Sequence, residues 1–444
     1  MNPDPMRAIA VSIAAGDSDT ALRLVDEALD TLSPAQLESL LNLSASWAAC
    51  GEFTPMWQLC EKVATKAENG HELYLILAQR ALLYGDDERA QHYAQCALAR
   101  NAKDPYAQTI LCQLLMKHTA FREGREFYEI RFDARNDTDA RDWRDFPAPR
   151  WQGEPVAGKR LYLWTEQGIG DILMFLSFLP GLIAQDPAAI TVGTHSRLIP
   201  LLARAFPSVT FESNGRAFEQ ASAAMLRRYP LAQSLVGSAS TDGLFDFAGP
   251  IGDVMVYGMP EFIPAERQES YLMADAARVA GLREQLGMQA NVRHIGLSWY
   301  TPNMTNGVAR SVPPELLAPL MAVPNCRFYS LQHAVDDAAL AEFRAKTSRD
   351  IVPPNFDLTQ DFEGLAALIA AMDEVITIDN TNAHLAGALG VPTMLLLHKG
   401  CNFRWSELPG GATLWYRSVH ALRQETALDW RPVIAAATAA LAAR

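Results

Sequence analysis

Three glycines recur at a near-constant interval early in the chain: Gly16, Gly51 and Gly85, separated by 35 and 34 residues. A glycine at such points lets the chain turn between two antiparallel helices. The residues after each glycine keep register. Ala21 and Ala28 follow Gly16, and Ala90 and Ala97 follow Gly85 at the same offsets. Met56 and Val63 hold those places in the looser middle unit. A fourth unit starts near Pro105, with Thr119 where glycine is expected and Gly124 at the first small position. Small residues allow close helix approach, and each hairpin leaves an apolar face that only the next unit covers. Residues 1–135 are therefore expected to form stacked helical repeats.

The character then changes. Pro147, Pro149, Gly153, Pro155 and Gly158 forbid a long helix, so 136–158 reads as an ordered linker, with Trp151 plugging it onto the next domain. From Arg160 short apolar strands alternate with helices. RLYLW (160–164) is followed by the loop TEQGIGD and a helix expected over about 171–184. A second series starts at HIGLSWY (294–300) and runs through CRFYSLQ, EVITID and PTMLLL. Continuous apolar strands separated by helices imply a parallel sheet covered on both faces. Two such series predict two Rossmann-like lobes, at 159–290 and 291–444, with a cleft between them. The fold class expected is thus α plus α/β. A last helix, around 428–442, is free to pack back across the lobes.

Composition narrows the function classes. The 444 residues carry a formal charge of −13, which disfavours nucleic acid and anionic membranes as partners. No apolar stretch is long enough for a membrane span. Asp4, Pro5 and Asp17 interrupt what could otherwise pass for a signal peptide. Six cysteines without a CxxC pair read as reduced, buried thiols, and the expected location is cytoplasmic.

Three loops carry candidate chemistry. TEQGIGD ends the first strand of the first lobe, where open α/β sheets bind ligands. Gln167, Gly168 and Gly170 form a tight turn into a helix whose free N–H groups suit an anion or a sugar, and Asp171 comes next. Asp171 also fits as a simple helix cap. In IDNTNAHLAGALGVP (378–392), Asp379 ends a strand. Asn380, Thr381 and Asn382 then place short donors beside a helix N-terminus that suits a diphosphate, with His384 one turn in. A helix capped by Asp379 or Asn380 explains the same spacing. SWYTPNMTNGVARSVP contributes Trp299 and Arg310. Arg310 is either a phosphate clamp or a salt bridge. Gln332 and His333, after another strand, are candidates for holding a nucleobase.

The period of the first part resembles the tetratricopeptide repeat, although the usual Trp, Leu-Gly and Pro signature is mostly missing. Residues 105–444 resemble the ADP-heptose heptosyltransferases and, more distantly, the O-linked N-acetylglucosamine transferases. FREGREFYEIRF, FPAPRWQGEPVAGKRLYLWTEQGIGD, GLSWY with ARSVP, FYSLQ, DNTNAHLAGALGVP and LRQETALDWRPVI carry this resemblance. It implies a GT-B fold with the donor nucleotide mainly in the C-terminal lobe. Asp171 matches the proposed general base, Thr381 and Asn382 the diphosphate contacts, and Arg310 the basic residue of the middle loop. It implies no metal and no cofactor, with the nucleotide sugar as substrate. Two features depart from the pattern: Asn382 replaces a small or apolar residue, and HKGCNFRW (398–405) replaces a loop that usually contains proline.

The expected reaction moves a sugar from a nucleotide to a hydroxyl on a protein held by the repeats, with flagellin or another surface-structure subunit as leading acceptor. Two alternatives stay open. One is a scaffold with a degenerate transferase domain; the other is a transferase acting on lipopolysaccharide-type glycans.

Overall fold

The computed structural model describes residues 4–66, 70–118, 124, 128–132, 148–213, 245–258, 270–302, 307–333, 336–406 and 409–443. Its first part is helical: α1 (Pro5–Ala14), α2 (Ser18–Ala28), α3 (Pro34–Ala49), α4 (Phe53–Lys66), α5 (His71–Leu83), α6 (Asp87–Arg100) and α7 (Pro105–Lys117). Gly16, Gly51 and Gly85 occupy the α1–α2, α3–α4 and α5–α6 turns, with φ of 75°, 82° and 71°. That left-handed backbone is why the sequence repeats glycine there. Asp4, Asp17, Ser33, Asp86 and Asp104 accept first-turn N–H groups and fix the helix starts. Ala21, Met56, Val63, Ala90 and Ala97 are all fully buried in one core with Leu40, Leu41 and Trp47. Thr119 lies outside the described residues.

The first α/β lobe contains β1 (Arg160–Trp164), α8 (Ile169–Leu176), α9 (Leu179–Ile183), β2 (Ala189–Thr194), α10 (Ile199–Ala205), β3 (Val209–Ser213), β4 (Phe247–Pro250) and α11 (Gly252–Gly258). All its strand pairs are parallel, in the order β3-β2-β1-β4. The single helix expected over 171–184 is two. Pro180 has no N–H, and its ring opposes the carbonyl four residues back, so the chain breaks after Leu176.

α12 (Ala276–Gln285), which the boundary at 290 assigns to the first lobe, packs on the second, whose sheet starts at β5 (Arg293–Ser298). That lobe continues through α13 (Gly307–Arg310), α14 (Ala318–Met321), β6 (Cys326–Ser330), α15 (Asp337–Thr347) and α16 (Phe362–Ala371). It ends with β7 (Glu374–Ile378), α17 (Thr381–Ala388), β8 (Thr393–Leu397), β9 (Val419–Arg423) and α18 (Arg431–Ala442). Its sheet is also parallel, ordered β6-β5-β7-β8-β9. Every residue of β7 and β8 is buried, as a sheet covered on both faces requires. The strand order reverses between β5 and β7, and such switch points are where open sheets bind ligands. α18 does not cross the lobes. Its Val433, Ile434, Ala437 and Leu441 join the core beside β5, β7 and β8.

The two lobes meet along α8 and α17, and one apolar core runs from Leu173 and Phe175 to Leu385, Trp405 and Tyr416. Arg204 and Glu363 add an ion pair of 2.7 Å across them. Buried charge anchors both the end of the helical part, at Arg131, and the described part of the linker, at Arg150. Arg131 pairs with Glu166 at 3.2 Å and Asp253 at 2.7 Å, and Arg150 pairs with Asp253 at 2.7 Å and Glu129 at 2.5 Å. Burial alone would weaken both guanidinium charges, but the carboxylates outweigh it and hold both arginines protonated. Trp151 is buried edge-on to Tyr257 at 5.8 Å, the plug expected of it. Residues 136–147 of the expected linker lie outside the described set. All six cysteines are free; Cys60, Cys112 and Cys401 are buried, whereas Cys50 is exposed and Cys96 and Cys326 are intermediate.

Candidate functional site

The loop after β1 is strained at one point. Gln167 takes φ of 64°, a conformation costly for a residue with a side chain. The turn's two glycines do not take it; Gln167 does. Two hydrogen bonds hold it: Nε2 donates to the Tyr128 hydroxyl at 2.9 Å, and Oε1 accepts from Arg404 Nη2 at 2.9 Å. Gly168 then caps α8, and Asp171 Oδ2 accepts the Gly168 N–H at 3.2 Å. Asp171 thus stands at the third helical position and not at the N-cap that spacing suggested, because the helix starts two residues earlier; its bond to the cap residue uses one carboxylate oxygen. The other, Oδ1, is ion-paired with Arg404 Nε. Gly170 serves close approach: a Cβ there would lie 2.7 Å from Cδ2 of His384 on the opposite lobe.

The loop after β7 supplies the other wall. Asn380 caps α17, its Oδ1 accepting the Asn382 N–H at 2.9 Å. Its Nδ2 donates to Ser298 Oγ at 2.8 Å, tying β7 to β5 at the switch point. Thr381 is partly exposed on the first turn, while Asn382 is buried and donates to the Leu331 carbonyl at 2.8 Å. Asp379 Oδ1 accepts from Trp405 Nε1 at 2.6 Å, and Oδ2 lies 3.5 Å from Arg310 Nε. Arg310 Nη2 also donates to the Asp379 carbonyl. Burial works to raise the Asp379 pKa, but Arg310, His398 and the Trp405 N–H outweigh it and hold the carboxyl below its usual range.

His384 is buried, stacked on Trp405 with ring centroids 4.4 Å apart, and Nδ1 meets the Tyr416 hydroxyl at 3.0 Å. Burial lowers its pKa to about 4, and burial does the same to His398. Both imidazoles are thus neutral at pH 7, so His384 adds no positive charge to an anion beside it. Among these four charged side chains, Asp171 and Asp379 balance Arg310 and Arg404.

Two candidates serve as supports. Gln332 Oε1 accepts the N–H groups of Trp299 at 3.3 Å and Tyr300 at 3.0 Å, and Nε2 donates to the Tyr300 carbonyl at 2.9 Å. Its amide is spent on shaping the loop after β5, and His333 beside it is half-buried. Trp299 packs on Phe343, 4.3 Å between centroids, inside the core. On the same loop Tyr300 is 50 % and Val308 87 % exposed.

The segment 398–406 holds the residues that reading motif by motif missed. Asn402 Oδ1 caps the short turn Phe403–Trp405 through the Arg404 N–H at 3.1 Å, aiming Arg404 at the first lobe and Trp405 at α17. The only sequence signal was the departure at HKGCNFRW. This segment also touches the helical part. A Cβ on Gly400 would run into the carbonyl oxygens of Leu82 and Leu83, and Ser406 Oγ donates to the Met116 carbonyl at 3.2 Å. Among the described residues no group of three or more His, Cys, Asp or Glu could hold a metal ion, and no helix is long and apolar enough to cross a membrane.

No family model matches the chain. It is 31 % identical over 329 residues to Protein FlbA of Caulobacter vibrioides, covering 72 % of this chain and 52 % of that protein. The chain thus spans about half the length of the curated relative it matches. Similar solved structures include a family 9 glycosyl transferase of Veillonella parvula, with TM-score 0.45, 14 % identity, 62 % of this chain and 88 % of that one. E. coli ADP-heptose lipopolysaccharide heptosyltransferase II gives TM-score 0.42 and 15 % identity over 64 % of this chain and 99 % of that one. A mutant O-GlcNAc transferase of Thermobaculum terrenum gives TM-score 0.32 and 13 % identity over 99 % and 90 %.

Proposed function

We propose that the chain is a glycosyltransferase of the GT-B type, moving a sugar from a nucleotide sugar to a hydroxyl. The observation that carries the reading is a juxtaposition at the switch point. The first turn of α8, which carries Asp171, packs on the first turn of α17 through Gly170 and His384, with Arg404 on Asp171 and Arg310 on Asp379. A carboxylate can take the acceptor proton, while helix N–H groups and guanidinium forks can meet the charge of a departing diphosphate. The donor is held mainly by the second lobe, through Thr381, Asn382, their amides and Arg310, without metal or further cofactor. The helical hairpins, read as tetratricopeptide-like, hold a protein acceptor in the cytoplasm. Flagellin or another surface-structure subunit is the first acceptor to try.

Thermal melting with a panel of nucleoside diphosphates and nucleotide sugars tests the donor site. A ligand at 100 times its Kd adds about 2.7 kcal/mol, a rise of a few degrees. A shift selective for one base supports the reading and names the donor class. One feature favours the scaffold alternative: both carboxylates are already held by arginines, and Asn380 already caps α17. A melt that no nucleotide moves would make that alternative the better description.

A further inference from the structure

We propose that Arg404 serves two anions in turn, the Asp171 carboxylate and the donor diphosphate, so that donor arrival frees the base. This rests on the transferase reading of the same site.

Both oxygens of Asp171 are engaged, Oδ2 by the Gly168 N–H and Oδ1 by Arg404 Nε. A guanidinium on a carboxylate oxygen occupies one of its two lone-pair sites and favours the charged form, so releasing it makes that oxygen a better proton acceptor. The Gly168 contact belongs to the helix start and stays with α8. The Arg404 contact spans the two lobes through one long side chain that is 20 % exposed, so it is the one that can move. Its Nη2 bonds Gln167, and Nη1 has no hydrogen-bond partner among the described residues.

The base of that side chain lies beside the proposed diphosphate site. Trp405, the next residue, stacks on His384 in the first turn of α17 and bonds Asp379 at the end of β7. Arg310 is already engaged by Asp379 through both carboxylate and carbonyl. Arg404 is a second guanidinium, besides Arg310, that a diphosphate can recruit, at the cost of one ion pair with Asp171. A diphosphate offers several charged oxygens to its planar fork, where Asp171 offers one.

In the transfer step the acceptor oxygen forms a bond to the anomeric carbon as the bond from that carbon to the diphosphate oxygen breaks. The electron pair leaves with the diphosphate, whose charge Arg404 and Arg310 meet. The acceptor's proton passes to Asp171 Oδ1.

The test is a binding cycle on the full chain by titration calorimetry. The probes are pyrophosphate and ADP, GDP, UDP and CDP, and the proteins are unsubstituted, Asp171→Asn, Arg404→Gln and the double substitution. Removing the competing carboxylate should tighten the best probe, by roughly five- to tenfold at the low end of site–site couplings. Arg404→Gln should weaken it by about tenfold or more, the loss of a charged hydrogen-bonding partner. In the Arg404→Gln background, Asp171→Asn should change nothing. If Arg404→Gln does not fold, Arg404→Lys replaces it, and its loss of the fork should shrink the gain. Absence of tightening in the unsubstituted background, or equal tightening in both, overturns the exchange. Turnover lost in Asp171→Asn would leave the transferase reading standing even then. No probe binding at millimolar concentration overturns both.

Discussion

Trp405 concentrates the site's packing and charge in one side chain, and Trp405→Phe separates the two. Phenylalanine keeps an aromatic ring against His384 but removes the Nε1 donor that sits 2.6 Å from Asp379 Oδ1. A hydrogen bond to a charged group contributes about 1.5–3 kcal/mol. The smaller ring leaves a void in a fully buried position worth about 1 kcal/mol more. The expected loss is thus about 2.5–4 kcal/mol, or roughly 5–15 °C for a lobe of this size. Because Asp379 titrates below the usual carboxylate range, its contribution is present above the unfolded pKa and lost only as pH falls through the folded value. The penalty should therefore be the same at pH 5 and pH 8. Urea unfolding followed by fluorescence at both values reads it, with the slope checked for loss of two-state behaviour. A penalty under about 0.5 kcal/mol, the range of neutral surface changes, would refute the reasoning. So would one that disappears at pH 5.

Acid should destabilise the protein well before its carboxylates titrate. His384 and His398 keep folded pKa values of about 4, so the unfolded chain binds more protons between about 4 and 6.5. Stability should fall across that window by about 1.4 kcal/mol per pH unit for each histidine, and a flat denaturation profile from pH 7 to 5 would contradict the assignment. Arg131→Met should cost about 3–5 kcal/mol by urea denaturation, because Glu166 and Asp253 would lose a buried partner; a change within 0.5 kcal/mol would show the network to be slack. Gly400→Ala should loosen the contact with the α5–α6 turn, opening 398–406 to limited proteolysis and weakening nucleotide binding several-fold, as misplacement of a binding group does. Gly181→Ala, with open space around it, is the control and should leave both unchanged.

The local features were legible in the sequence. Gly16, Gly51 and Gly85 announced their turns because a left-handed backbone selects glycine. The apolar strands gave two parallel sheets because burial on both faces removes alternation. Asp171 and the 379–384 run could be placed at strand ends for the same reason. What depended on long-range pairing was not legible. Arg404 and Asp171 stand 233 positions apart, and nothing near either names the other. Gln332 and Trp299 sat on the right loops, but a side chain at a strand end can face the cleft or brace the loop, and both brace it. The strained residue of the first loop is Gln167 because a hydrogen-bonded side chain, not glycine, holds that turn.

The most direct measurement is nucleoside diphosphate release from each nucleotide sugar in the presence of a candidate protein acceptor, for the unsubstituted chain and Asp171→Asn. The prediction is release matched by sugar on the acceptor. Asp171→Asn should be slowed by about 100-fold or more while binding the nucleotide at least as tightly. Full activity in Asp171→Asn would reduce that carboxylate to a helix cap, and no consumption of any nucleotide sugar by the unsubstituted chain would contradict the transferase reading itself.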